Sequence, residues 1–334
     1  MIQHLTEDRV KEVLNQAAGK TVAVIGDVML DRYFWGSVSR VSPEAPVPVI
    51  DIDKESFHLG GAANVAKNLK TLGLNPLLCG IIGDDNSGRR FYEIAKQDGI
   101  NPDGLFIDKN RPTIVKTRII GNNQHIARLD REVRDNIPVE GKTHINSILK
   151  DRNDLAGIIF EDYDKGSITE DLIIQTLAFA QDNNIPVFVD PKKKHFFEYR
   201  GVTVFKPNRK EAANALELPV SSLDEIRSAG LKILEELECK NVLLTLGSRG
   251  MMLFESNGDI SSVPTKARNV ADVSGAGDTA IATIAAAYAG GANIKESAEM
   301  ANFASGVVCE SPGIVAIASD ELIKTVRNTS KNQQ

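Results

Sequence analysis

The most chemically specific stretch of the sequence is DVSGAGD, Asp272 to Asp278, which runs into the small-residue segment IATIAAAYAGG. Glycines just ahead of a helix let the backbone N–H groups of Gly275, Ala276 and Gly277 converge on an anion, and the helix dipole adds attraction. Such a nest can hold a phosphoryl group while negative charge shifts in a transition state. Asp278, in the first turn of that helix, faces the same point and is placed to accept a proton from an attacking hydroxyl. The plainer alternatives are a helix N-cap at Asp278 and a tight turn at Gly275 and Gly277. Gly275 to Ala280 also fits G-x-G-x-x-A, the pattern of a nicotinamide-dependent oxidoreductase. That reading is disfavoured: the segment lies late in the chain, no clear apolar strand directly precedes it, and no acidic residue ends a second strand further on. The sequence has no GxxxxGK[ST], which excludes a P-loop NTPase.

Two weaker patterns accompany the first. Gly60 and Gly61 open a helical segment that carries Asn64. The glycine pair allows close approach of a ligand, and the amide can donate and accept toward a polyhydroxylated substrate. A turn before a helix explains the same residues. Asn208 and Glu211 follow an apolar run and lie three apart, so on a first helical turn both can face one site and hold Mg²⁺ through its waters. A capped helix start is the plainer reading. Asp27 and Asp31, just after the first apolar run, are candidates for sugar hydroxyls or for turn and cap roles. Lys116 and Arg118 alternate in KTRII and share one face, with Arg40 and Arg128 in neighbouring segments. A basic face opposite the nest can take a second phosphate through arginine; a solvated strand face is the alternative. His58 and His125 lack metal-binding spacing, and Trp35 reads as a packing residue.

These residues need elements to position them. Apolar runs at 21–25, 76–82, 156–160, 186–190, 202–205 and 242–246 alternate with helical segments, of which 62–72 and 87–97 are clearest and 222–225 opens another with a capping box. That alternation predicts a parallel sheet covered on both faces. Segments 33–57 and 113–130 break the rhythm. They read as half-exposed antiparallel strands, the second with a hairpin turn at Gly121, Asn122 and Asn123. An edge extension of the main sheet is one reading; a lid over an active site is the other, since such sheets bind ligands beyond their strand ends. Exposed lid edges predict a homodimer in which two lids pair.

Composition bounds the rest. At 334 residues the chain suits one large α/β domain or two ordinary ones. Lys plus Arg is 39 and Asp plus Glu 45, a net charge of −6, which disfavours nucleic-acid and anionic-membrane partners. Cys79, Cys239 and Cys309 are odd in number and far apart, and the N-terminus is polar, so a cytoplasmic setting is expected. The polar end, 328–334, is expected to fray.

Taken together, the three patterns resemble the ribokinase-like (PfkB-type) carbohydrate kinases from about Thr21 to Val326. The resemblance implies a three-layer α/β/α fold with a mostly parallel sheet and a small β-strand lid, and one kinase domain over 1–334 with lid strands from about 33–57 and 113–130. It implies Asp278 as catalytic base, the amides of Gly275, Ala276 and Gly277 as anion hole, and Asn208 and Glu211 as the N-x-x-E motif that organises Mg²⁺ and phosphate. It further implies Thr245, Gly247 and Gly250 at a nucleotide-contacting strand end, Asn302 at the adenine pocket, and Asp272 at a monovalent cation such as K⁺. The acceptor site falls to Asp27, Asp31, Gly60, Gly61, Asn64, Lys116, Arg118, Gln124 and Arg128. Within the family, the segments around Asp31-Arg32-Tyr33, Arg40–Pro48, Asn123-Gln124, Arg128–Asp130, Asp162–Gly166 and Asp190-Pro191-Lys192 look like the D-glycero-D-manno-heptose-7-phosphate kinase branch. That branch transfers the ATP γ-phosphoryl group to the sugar O1 for ADP-heptose and lipopolysaccharide synthesis. Departures stand at Asp164, Lys193, Lys194 and 309–312. The sequence carries no HxGH motif of the nucleotidylyltransferase often joined to such kinases, so the kinase part alone is expected.

Overall fold

The computed structural model describes residues 5–265, 272–311 and 313–331. In chain order the strands are β1 (Thr21–Gly26), β2 (Val28–Val41), β3 (Pro48–Gly61), β4 (Asn75–Gly83), β5 (Asn101–Asp108), β6 (Val115–Gly121), β7 (Gln124–Arg131), β8 (Leu155–Glu161), β9 (Val187–Asp190), β10 (Val204–Phe205), β11 (Asn241–Thr245), β12 (Met251–Glu255) and β13 (Ile260–Val263). The helices are α1 (Glu7–Ala17), α2 (Ala62–Thr71), α3 (Asn86–Gln97), α4 (Val139–Lys150), α5 (Glu170–Asp182), α6 (Arg209–Leu216), α7 (Leu223–Leu237), α8 (Ala276–Ala289), α9 (Ile294–Cys309) and α10 (Ser319–Lys331).

The large sheet runs β13-β12-β11-β10-β9-β8-β1-β4-β5. It is parallel from β11 to β5, with β12 and β13 added antiparallel at one edge. Alternation along β1 sorts the two cores. Val22 and Val24 pack with α2, α8 and α9 on one face, while Ala23 and Ile25 pack with α4, α5 and α7 on the other. Continuous apolar strands require this double cover, because neither face meets water. The run 202–205 yields only the short β10, where Thr203 instead accepts from the Val187 amide through its hydroxyl.

The second sheet has the order β3-β2-β6-β7. It differs from expectation in two ways. β2 starts at Val28, immediately after β1, so Asp31 stands at the base of the lid. The β2–β6 pair is parallel, between two antiparallel pairs. The hairpin turn is as expected: Asn122 and Asn123 take φ of 50° and 63°, the left-handed values a two-residue turn needs. Trp35 is 38% exposed and stacked on Tyr33, not packed in a core. At the C-terminal end α10 runs through Asn328 to Lys331; residues 332–334 lie outside the described residues. No helix among the described residues is long and apolar enough to cross a membrane.

Candidate active site

The candidate anion nest lies where α8 begins. Gly275 has φ of +80°, a left-handed conformation that favours glycine, and the helix starts at Ala276 with its first-turn amides unused inside the helix. The Ala276 amide is partly engaged, donating to the Val273 carbonyl at 3.3 Å. A Cβ at Gly277 would stand 3.4 Å from Asp190 Oδ2 and 3.6 Å from Lys206 Nζ, so a buried ammonium borders the nest.

Asp278 is 7% exposed. Its Oδ1 accepts from the Tyr163 hydroxyl at 2.9 Å and its Oδ2 from Asn64 Nδ2 at 2.8 Å. Burial pushes this carboxyl above the usual carboxylate range; the Asn64 bond opposes that, and the Asp190 charge adds to it. A base with a raised pKa and two fixed donors is oriented, and is a stronger proton acceptor than an ordinary carboxylate. Asn64 therefore meets the candidate base rather than standing apart from it, and its Oδ1 has no partner among the described residues.

The glycine pair works by clearance. A Cβ at Gly60 would run into Asp31 Oδ2, and one at Gly61, where φ is +60°, would strike the Asp27 carbonyl. Asp31 is buried and pairs with Arg118 from β6. Asp27 departs from the sugar-hydroxyl expectation. It is fully buried, and its carboxylate accepts the backbone amides of Tyr163, Lys165 and Ser167, so it shapes the loop that delivers Tyr163. This matches the turn-and-cap alternative.

The lid's basic face is also changed by its surroundings. Lys116 pairs with Asp130 and Glu132, Arg128 with Asp130 in a bidentate contact, and Lys165 with Glu132. These cations are held in ion pairs rather than presented as a bare patch. Gln124 sits at the exposed tip of the β6–β7 hairpin, opposite Gly121.

Asn208 and Glu211 form the capping box of α6: Asn208 Oδ1 accepts from the Glu211 amide at 2.9 Å and Glu211 Oε2 from the Asn208 amide at 2.8 Å. Glu211 Oε1 also pairs with Lys192. The capped helix start is thus observed, and the same two residues line a cavity of about 470 Å³ that also receives Asp278, Gly275, Gly277, Lys206 and Tyr163, so the cap leaves the Mg²⁺ reading open. Since both side chains are already bonded, they suit a hydrated ion held through water rather than direct ligation. An adjoining cavity of about 250 Å³, mostly apolar, is lined by Thr245, Gly247, Gly250, Met251, Asn302 and Cys309 among others. Asn302 Nδ2 donates to the Pro264 carbonyl at 2.7 Å, closing one wall. Asp272 accepts from the amides of Ser274 and Gly313; partial burial works against ionisation, yet these bonds hold its carboxyl below the usual range.

Sequence reasoning assigned no role to Tyr163, Glu161, Asp190 or Lys206. Lys206 is 2% exposed and pairs with Asp190 at 2.7 Å.

The model of the pfkB family carbohydrate kinases matches residues 20–321. Curated relatives include the bifunctional protein HldE of Geobacter sulfurreducens, 38% identical over 315 residues, and that of Pelobacter propionicus, 38% identical over 319. These alignments cover 94% and 95% of this chain, and 64% and 65% of the relatives, so the chain spans just under two thirds of their length. Among solved structures, phosphofructokinase-2 from Escherichia coli in complex with fructose-6-phosphate superposes with a TM-score of 0.77 at 16% identity, covering 94% of this chain and 99% of that one. Arabidopsis thaliana ribokinase complexed with ribose and ATP superposes with a TM-score of 0.73 at 19% identity, covering 93% and 99%. The shared fold is ribokinase-like. On the family match across residues 20–321, with the nest, Asp278 and the N-x-x-E pair meeting at one cavity, this chain belongs to the pfkB family of carbohydrate kinases.

Proposed function

We propose that this chain, acting as one kinase unit, transfers the γ-phosphoryl group of ATP to the O1 hydroxyl of D-glycero-D-manno-heptose 7-phosphate. The product, the 1,7-bisphosphate, then serves ADP-heptose synthesis for lipopolysaccharide in the cytoplasm. The observation that carries the phosphotransfer reading is Asp278, held by Tyr163 and Asn64 beneath the Gly275 nest. The heptose acceptor is supported by the likeness of several segments to that branch and by the HldE relatives. A kinase of the same fold acting on another sugar, sugar phosphate or nucleoside is the alternative.

In this reading ATP lies with its base in the apolar cavity beside Asn302 and its phosphates at the nest. Asp278 takes the proton from the acceptor hydroxyl, the freed oxygen attacks the γ-phosphorus in line, and the bond to the bridging oxygen breaks with its electron pair leaving on ADP. The amides of Gly275 and Gly277 and the Lys206 ammonium stabilise charge on the transferring group. Mg²⁺ bound with ATP would be held by Asn208 and Glu211 through water and would neutralise the phosphates; Asp272 is the candidate for a monovalent cation such as K⁺. The lid excludes water, and Arg118, Lys116 and Arg128 meet the acceptor and its phosphate, which displaces some of their present carboxylate partners. Exposed apolar side chains on the lid, Val41, Val47, Ile52 and Leu129 among them, support a homodimer in which lids pair.

The test is a mass-spectrometric product assay with ATP and the heptose 7-phosphate beside a panel of other sugars and sugar phosphates. Formation of the 1,7-bisphosphate in preference to all other products is expected. Asp278→Asn should lower kcat by about 10²–10⁴-fold and leave sugar binding nearly intact. Turnover near wild type in that variant would remove Asp278 from the role. A monomeric mass by light scattering would remove the lid dimer.

A further inference from the structure

The ends of β8 and β9 and the first turn of α8 bring three carboxyl groups together. An oxygen from each of Glu161, Asp190 and Asp278 lies within 4.8 Å of the others. Their surroundings are unequal. Asp278 accepts two hydrogen bonds, from Tyr163 and Asn64, and Asp190 accepts from the Lys206 ammonium. Glu161 is 1% exposed, and among the described residues neither of its oxygens has a hydrogen-bond partner.

An ionised carboxylate buried without a donor is strongly unfavourable, whereas a neutral carboxylic acid in the same place is tolerated. Two carboxyls this close do not both ionise freely, and donors decide which one does. The charged groups that face Glu161 are Asp190, Asp278, Lys192 and Lys206. Both ammonium groups are committed, Lys206 to Asp190 and Lys192 to Glu211. Lys206 already neutralises Asp190, one of the three carboxylates a divalent ion would need, which favours a proton over a metal there.

We infer that Glu161 carries the proton of the Glu161–Asp278 carboxyl pair in the resting protein, and that it is a positioning residue which leaves Asp278 ionised as the base. Burial, with the neighbouring Asp190 and Asp278 charges, acts on Glu161 in the same direction. The neutral acid also spares one negative charge at the cavity where anionic phosphate must arrive. Its role in turnover rests on the proposed kinase reading; its protonation state does not.

Two measurements on the full chain test this. The first is the infrared difference spectrum between wild type and Glu161→Gln at neutral pH. A protonated-carboxyl carbonyl band present in wild type and absent from the variant is expected, and in wild type alone that band should fade on alkaline titration, so the test stands even where the variant does not fold. Absence of the band in wild type, or its survival in E161Q, overturns the inference, whether or not any sugar is phosphorylated. The second is the pH profile of kcat/KM for ATP. Wild type should lose activity on the alkaline side as Glu161 ionises, and E161Q should lose that fall, so its rate relative to wild type climbs with pH. Profiles of the same shape overturn the positioning role. Mn²⁺ binding by nucleotide-free protein that disappears in E161Q would place a cation where we place a proton, and would equally overturn it.

Discussion

Replacing Tyr163 by Phe removes one hydrogen-bond donor from beside the candidate base and little else. The ring remains beneath the Lys192 ammonium, which lies 5.1 Å from its centroid, and only the hydroxyl that donates to Asp278 Oδ1 at 2.9 Å is lost. A hydrogen bond to a charged group contributes about 1.5–3 kcal/mol. The hydroxyl donates more strongly to the ionised form than to the neutral acid, so its loss disfavours the anion and moves the acid limb of the rate profile toward higher pH. Each ~1.4 kcal/mol is a factor of ten, so below the limb kcat/KM should fall by about ten- to a hundredfold. Above the limb it should recover toward wild type, because Asp278 is then ionised in both proteins. The wild-type limb itself should lie above the ordinary carboxylate range, since burial raises Asp278. The assay is ADP release across pH, with thermal unfolding as the control on folding. A limb that does not move, or a loss equal at every pH, would refute the account of Asp278 as a base tuned by Tyr163.

Gly61→Ala forces a Cβ into the left-handed region and into the Asp27 carbonyl; a loss of at least about 1–2 kcal/mol is expected, read from the urea midpoint, and an unchanged midpoint would contradict it. Arg118→Ala leaves the buried Asp31 carboxylate without its cation, which should destabilise by about 3–5 kcal/mol and raise KM for a phosphorylated acceptor. If both Tm and KM stay put, the pair has no such role. Asp162 is pushed up to about 6, chiefly by burial. A carboxyl raised in the folded state stabilises below its unfolded pKa, and that stabilisation is lost as pH rises toward 6. Asp162→Asn should flatten this part of the stability profile, and equal slopes for the two proteins would refute the assignment.

What the sequence disclosed was whatever one element encodes by itself. The Gly275 nest, the capping boxes at Asn208 and Ser222 and the Asn122-Asn123 turn depend on spacings of a few residues. The site's partners do not. Asn64 reaches Asp278 across 214 positions, and Tyr163 across 115. Glu161, Asp190 and Lys206 meet only because β8, β9 and β10 are adjacent strands ending at one level. The lid's cations were visible as residue types, but the carboxylates that neutralise them arrive from β2, from β7 and from the segment after β7. Asp27 shows the converse: an acidic residue after a strand fits a ligand or a loop equally well in sequence, and only three amides aimed at it decide.

β2 begins within the molecule, beside β1, and ends in solvent. Its first residues, Val28 to Asp31, are buried, while its last, Ser39 to Val41, are exposed. The strand is interrupted by irregularities at Trp35/Gly36 and Val38/Arg40, where its pairing with β3 shifts. It is thus a strand with a buried anchor beside β1 and joints only in its outer half. Pairing with β3 is regular from Val28 to Trp35, so a change of shape beyond Gly36 meets both irregularities before it meets the anchored half. Sequence drift at the far end can therefore remodel what the lid meets, while the anchoring end keeps its register.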